Sequence, residues 1–93
     1  MHTVRGCVPT ISVFYGIVIK MFFDDHDPPH IHVEYADDEA KVGLATGELL
    51  RGVIPARALR LVREWMTLHE AELEENWRLA KAMHPVHRVE PLP

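Results

Sequence analysis

The spacing of the apolar residues changes at Pro55, and this change constrains the fold more than any other feature of the sequence. Before Pro55, apolar residues alternate with polar ones in short runs, which is the period of half-buried β-strands. After Pro55 they recur every three or four positions, which is the period of amphipathic helices. Proline suits the first turn of a helix because the N–H that it lacks would have no intrahelical partner there. The sequence therefore predicts an α+β chain, with strands first and helices second.

The first half predicts a sheet of four to five short strands. β-Branched and aromatic residues fill positions 10–15 and 17–23, with a tight turn or bulge at Tyr15-Gly16 between them. Alternation resumes at residues 31–35, 40–44 and 49–53, and polar or glycine-containing turns separate these runs. Because the connections are short, we expect a small antiparallel meander.

The second half predicts one or two helices over residues 55–82, packed on one face of the sheet. A single helix of this length would be about 42 Å long, which is long for so small a domain. Thr67 and Glu70 have the spacing of a capping box, so we expect a break near residues 67–70 and two helices of about 13 residues. A single kinked helix is the alternative. The apolar stripe consists of Leu59, Val62, Trp65, Met66, His69, Leu73, Trp77 and Ala80.

A chain of 93 residues allows one domain. We expect an N-terminal extension over residues 1–8, a single α+β domain over residues 9–83, and an extended tail with several prolines over residues 84–93. A core this small leaves a thin stability margin. We therefore expect the protein to associate with itself or with a small protein partner.

Composition excludes several classes of protein. The net charge of −4 argues against a general nucleic-acid binder. One cysteine, Cys7, cannot form an intramolecular disulfide or a cysteine-rich zinc site. No apolar run approaches the 18 residues of a membrane span, and the first residues lack the apolar core of a signal peptide. We expect a cytoplasmic protein.

The best candidate site is the segment FFDDHDPPHIHV, residues 22–33, which we call the elbow. His30 and His32 are two positions apart on a predicted strand, so their side chains leave the same face and can bind one ion. Three protein ligands and an open position are typical of catalytic zinc, and two histidines with one carboxylate also suit iron or manganese. The candidate ligands are His26, His30 and His32, with Asp24, Asp25 or Glu34 as the carboxylate.

The elbow also has a purely structural interpretation. Ile31 and Val33 would face the core, which leaves the histidines to hydrogen-bond the backbone of a turn set by Pro28-Pro29. From the sequence alone we favour this polar elbow over a metal site. A catalytic triad is disfavoured because no Ser, Thr or Cys lies nearby to act as a nucleophile.

A second candidate surface is a stripe of arginines on the first predicted helix. Arg57, Arg60 and Arg63 are three positions apart and follow Arg51, so together they can contact the phosphates of RNA or DNA. The alternative is a solvated helix face on which Arg60 pairs with Glu64.

Four stretches carry a resemblance to a known family: PTISVFYGIVIKMFF, DDHDPPHIHVEY, TGELLRG and ALRLVREWMTLHEAELEENW. From Pro9 to about Ala80 the chain resembles the small prokaryotic domain of unknown function 4160 family. The resemblance implies no agreed activity. It does imply a short protein encoded beside a second small protein, which is similar to toxin–antitoxin modules. Two positions depart from the family pattern, the extension over residues 1–8 and Ile31, where an aromatic residue is more usual.

These observations leave three functions open, and whether the protein is an enzyme is undecided. We expect an interaction module that acts with a neighbouring small protein in a toxin–antitoxin-like pair. The alternative is a metal-dependent hydrolase or nuclease centred on His26, His30 and His32, with zinc or another divalent metal as cofactor. A further alternative is RNA or DNA contact through Arg51, Arg57, Arg60 and Arg63.

Overall fold

A computed structural model describes residues 9–93, so the predicted extension over residues 1–8 lies outside the described residues. The α+β prediction is confirmed: five antiparallel strands in the order β1-β2-β3-β4-β5 precede two helices. No helix of the described residues is long and apolar enough to cross a membrane. The elements are β1 (Thr10–Phe14), β2 (Ile17–Lys20), β3 (His30–Tyr35), β4 (Asp38–Gly43), β5 (Leu49–Gly52), α1 (Ala56–Leu68) and α2 (Glu70–Lys81).

The strands pair as neighbours because their connections are tight. Tyr15 and Gly16 join β1 to β2 with φ angles of 51° and 80°, the left-handed conformation that two-residue hairpins require. β2 is shorter than the predicted run 17–23 and ends at Lys20. The chain turns at Asp24, whose φ is 50°, so Phe22 lies in the elbow and stacks on the ring of His32. Phe22, which the sequence prediction placed in the second strand, therefore lies outside that strand.

The expected break between the helices is present, but the predicted capping box is wrong. His69 separates α1 from α2 with φ −129° and makes no side-chain capping bond. The Thr67 hydroxyl donates instead to the carbonyl of Arg63, one turn back in α1. His69 pairs with Glu72 at 2.5 Å, and its ring packs on Trp65. At the break, these side-chain contacts are present and the expected capping hydrogen bonds are not.

The core lies between the helices and one face of the sheet. Along each of the three central strands, buried apolar residues alternate with partly exposed polar ones, as expected for a half-buried sheet. The opposite face, which we call the open face, is uncovered over much of its area. The largest fully buried side chains are Trp65, Ile11, Ile17, Ile19, Met21, Ile31, Leu73, Val33, Val42, Val62, Asn76 and Ser12.

The segment after α2 runs beside β1. The Val89 amide donates to the carbonyl of Ile11 at 2.8 Å, and the Tyr15 hydroxyl donates to the carbonyl of Pro93 at 2.6 Å. Both pairs are 78 positions apart, so the segment runs in the same direction as β1. Val89 is buried. The outer edge of β1 is therefore covered by the C-terminal residues.

The helices hold the same segment from the other side. Trp65 of α1 donates its indole N–H to the carbonyl of Glu90 at 2.8 Å. The buried side chain of Asn76 makes two hydrogen bonds with the backbone of His87, one as donor and one as acceptor. At the other edge of the sheet, no backbone segment of residues 9–93 is hydrogen-bonded to the outer side of β5.

Candidate metal centre at the elbow

The elbow is fixed to the C-terminal end of α2. The Asp24 amide donates to the carbonyl of Ala80 at 3.0 Å, which satisfies one of the last carbonyls of the helix. The Lys81 ammonium donates to the carbonyl of Asp25 at 2.9 Å. Because both contacts are to the elbow backbone, they set where the side chain of Asp25 points.

This placement brings together Asp25, His30 and His32. Asp25 Oδ2 lies 3.0 Å from His30 Nε2 and 2.8 Å from His32 Nε2. One ligand atom from each residue lies within 4.8 Å of the others. The His30 side chain is 4 % exposed, whereas those of Asp25 and His32 are 14 % and 17 % exposed. The cluster is thus closed at His30 and open to solvent at His32.

The second nitrogen of His30 defines its tautomer. Nδ1 lies 2.7 Å from the carbonyl oxygen of Pro28, which only accepts hydrogen bonds, so Nδ1 carries a hydrogen. In a neutral imidazole the other nitrogen, Nε2, then holds the lone pair. That lone pair faces Asp25 Oδ2, which is also an acceptor. The contact is stable if a proton lies on Nε2, or if a cation is bound by both atoms.

Aromatic neighbours hold both imidazole rings. The ring of His32 stacks on Phe22 with centroids 4.0 Å apart and planes 19° apart. The ring of His30 packs against Trp77 of α2 at 5.3 Å. These contacts leave the rings little freedom to turn, so the two Nε2 atoms are directed at Asp25 by packing as well as by hydrogen bonds.

The cluster favours the ionised carboxylate and the neutral imidazole. Burial raises the pKa of Asp25, but the hydrogen bonds from His32 and from the His26 amide, with the charges of His30 and His32, lower it to about 2. Burial lowers the pKa of His32 more than the hydrogen bond to Asp25 raises it, and the charges of His30 and Lys41 lower it further. Metal binding requires these same protonation states.

The other predicted ligands lie outside the cluster. His26 is exposed, and its backbone amide rather than its ring contacts Asp25, at 2.8 Å from Oδ1. Asp24 is exposed, with its carboxylate 3.9 Å from the ammonium of Lys81. Glu34 forms an ion pair with Lys20 at 3.0 Å. Of the three carboxylates that the sequence offered, Asp25 is the one that meets the histidines.

Three of the four arginines lie on α1, and the fourth lies on the sheet. Arg57 and Arg60 line an apolar groove beside α1, and Arg60 and Arg63 line a second groove on the same helix. Arg63 also donates its Nε–H to the carbonyl of Gly47 at 2.7 Å and so holds the turn between β4 and β5. Arg51 lies on the open face of the sheet, apart from the other three.

The five-stranded meander, the two helices and the elbow cluster define a small α+β domain with a two-histidine, one-carboxylate site. The family model described as Domain of unknown function (DUF4160) matches residues 16–78, which is more than half of the chain. The chain belongs to this family, and the match includes all three cluster residues. Neither the curated proteins nor the solved structures contain a match to the chain.

Proposed function

We propose that Asp25, His30 and His32 bind a divalent metal ion, zinc in the first instance, and that the protein is a small metal-dependent hydrolase. The observation that carries the proposal is the approach of His30 Nε2 to Asp25 Oδ2, with Nδ1 already engaged by the Pro28 carbonyl. A ligating histidine typically donates its other ring N–H to a backbone carbonyl or a carboxylate. His30 has this arrangement.

Two of the three donor–donor distances are close to those around a bound ion, and all three ligand atoms lie within 4.8 Å of one another. Two donor atoms on one tetrahedral zinc, each about 2.0 to 2.1 Å from the metal, lie about 3.3 Å apart. The two contacts to Asp25 Oδ2, at 3.0 and 2.8 Å, would open by a few tenths of an ångström. A side-chain rotation at Asp25, which is partly exposed and not stacked on an aromatic ring, provides this change.

The number of ligands supports the hydrolytic class. Three protein ligands would leave one position of a tetrahedral ion for water or substrate, and the cluster is open to solvent at His32. A bound divalent ion supplies Lewis acidity and lowers the pKa of a bound water. Asp25, His30 and His32 hold the ion, and Phe22 and Trp77 hold the two imidazole rings in place.

The test is zinc binding by calorimetry and by thermal unfolding, on protein purified without a histidine tag. At free zinc about a hundred times Kd, binding should raise the free energy of unfolding by about 2.7 kcal/mol. Asp25→Asn should abolish this gain, whereas the matched control Asp24→Asn should keep it because Asp24 lies outside the cluster. Equal melting temperatures with zinc, manganese and chelator would refute the proposal.

A second candidate function is an interaction module, which the open edge of β5 favours. Unpaired strand edges accept a strand from another chain. Every residue of β5 is exposed, and Val53 beyond it is 70 % exposed. We propose that the partner is a neighbouring small protein in a toxin–antitoxin-like pair, which adds a strand at this edge in the cytoplasm.

A further inference from the structure

A groove on the open face of the sheet begins at the metal centre. It has a volume of about 240 Å³, and Phe22 and His32 line it. Lys41 of β4 and Arg51 of β5 line it as well. A ligand in this groove would therefore contact the solvent-facing side of His32 and two cationic side chains at once.

The strand register aligns these groups in one row. His32 is paired with Lys41, and Lys41 is paired with Arg51, so the three lie side by side across β3, β4 and β5. Side chains of directly paired residues lie roughly 5 Å apart at Cβ. The pairing of β4 with β5 shifts register directly after this row, between Lys41 and Val42. Such irregularities often redirect side chains near functional sites.

The two cations of the row are unneutralised. Lys20, which is paired with His32 on the other side, is neutralised by Glu34 at 3.0 Å. Within residues 9–93, by contrast, neither Lys41 nor Arg51 has a carboxylate within 4.0 Å. Like charges directly opposite each other destabilise a sheet, so this pair does not serve folding. A bound anion would remove the repulsion.

We propose that this groove binds a small phosphate monoester, the substrate class of the metal centre; the inference rests on the proposed function. Arg51 offers the planar fork that matches phosphate oxygens, and Lys41 adds a point charge. The ring of Phe22, which is 37 % exposed, is the apolar surface for the organic part of the ester. The groove is smaller than the roughly 300 to 1,000 Å³ of drug-sized sites, which favours a small ester.

Acidic residues at the groove favour a small ester over a nucleic-acid strand. Glu34 and Glu39 are paired across β3 and β4, and both line the groove next to the cationic row. A single phosphate bound by Lys41 and Arg51 brings only one charged group near these carboxylates. A polynucleotide crossing the sheet would bring further phosphates against these carboxylates, and the net charge of −4 adds to that repulsion.

The test is calorimetric titration of the zinc-loaded protein with phenyl phosphate. Zinc uptake is measured first, by itself, in every variant. Lys41→Gln and Arg51→Gln should each weaken phenyl phosphate binding by about tenfold, since each removes a charge-assisted hydrogen bond. Zinc uptake should be unchanged in both. Arg57→Gln, on the separate groove beside α1, is the matched control and should bind phenyl phosphate as the wild type does.

The outcomes separate this inference from the proposed function. Normal zinc uptake with no phenyl phosphate binding, or with equal binding by the double variant Lys41→Gln, Arg51→Gln, would overturn the groove and leave the metal centre standing. Absence of zinc uptake by the wild type would overturn both. A short single-stranded oligonucleotide that displaces phenyl phosphate at lower concentration than inorganic phosphate does would overturn the assignment to a small ester.

Discussion

At the scale of single residues, the central contact of the elbow is the one between His30 and Asp25. The His30 Nε2 and Asp25 Oδ2 atoms both hold lone pairs that are directed at the same point. A proton and the proposed metal ion would therefore compete for one position. The packing of the rings on Phe22 and Trp77 keeps that position in place in either state.

The lowered pKa values of Asp25 and His32 predict how the metal-free protein responds to acid. Both groups bind protons less readily in the folded than in the unfolded chain, so their contribution to stability is lost as pH falls. The loss for His32 begins below its ordinary value of 6.5. The loss for Asp25 begins below 3.8 and is complete near its folded value of about 2. Urea midpoints measured from pH 7 to pH 2 in the presence of chelator should show both steps.

Asp25→Asn tests the step at lower pH, which we assign to Asp25. The variant should lose the part of the change in midpoint between about pH 4 and pH 2 that Asp25 contributes, because the amide does not titrate. The matched control is Asp27→Asn, since Asp27 is exposed and outside the cluster, and its curve should follow the wild type. Identical slopes for wild type and Asp25→Asn in this range would show that the carboxylate is not specially stabilised in the folded state.

At the scale of elements, the period of the apolar residues predicted the sheet, its antiparallel order and the two helices, because burial of one face is a local property of the sequence. The cluster was predicted in part. His30 and His32 follow from the two-residue repeat of β3, but the choice of Asp25 over Asp24 or Glu34 depends on how the elbow meets the end of α2. That contact joins residues 56 positions apart, and no local pattern encodes it.

Trp77 connects the stability of α2 to the geometry of the Asp25, His30 and His32 cluster. It is nearly buried and packs against the ring of His30. Trp77→Ala should cost roughly 3 to 5 kcal/mol of stability, the usual range for a buried aromatic residue. Trp77→Phe retains an aromatic ring and should cost less. Denaturant midpoints measure both, and a Trp77→Ala midpoint equal to that of the wild type would place this side chain outside the core.

At the scale of the whole molecule, the two edges of the sheet differ. The segment that contains Val89 covers β1, whereas β5 is open along its outer side within residues 9–93. Leu49 and Leu50 of β5 and Val53 beyond it expose apolar surface there. Association by strand addition is therefore expected at β5 and not at β1.

Sedimentation at micromolar concentration tests this association, with the chain alone and with the proposed partner, a small protein from a neighbouring gene. Val53→Lys should weaken any complex, because a charged side chain beside an open edge opposes strand addition. Leu68→Lys is the matched control, since Leu68 is similarly exposed but lies on α1. A monomer in both mixtures, or equal weakening by the two variants, would contradict an interface at β5. A complex of the chain with itself would assign the edge to a homo-oligomer.

Each hydrogen-bonded pair between β1 and its covering segment is 78 positions apart, so β1 is synthesised early and covered late. Neighbouring strands of the meander can pair soon after they are translated, because they are close in the sequence. Until Val89 and Glu90 follow, Ile11 and Trp65 lack the hydrogen bonds that these two residues provide. The nascent chain thus presents two open strand edges, and the arrival of the covering segment closes one of them.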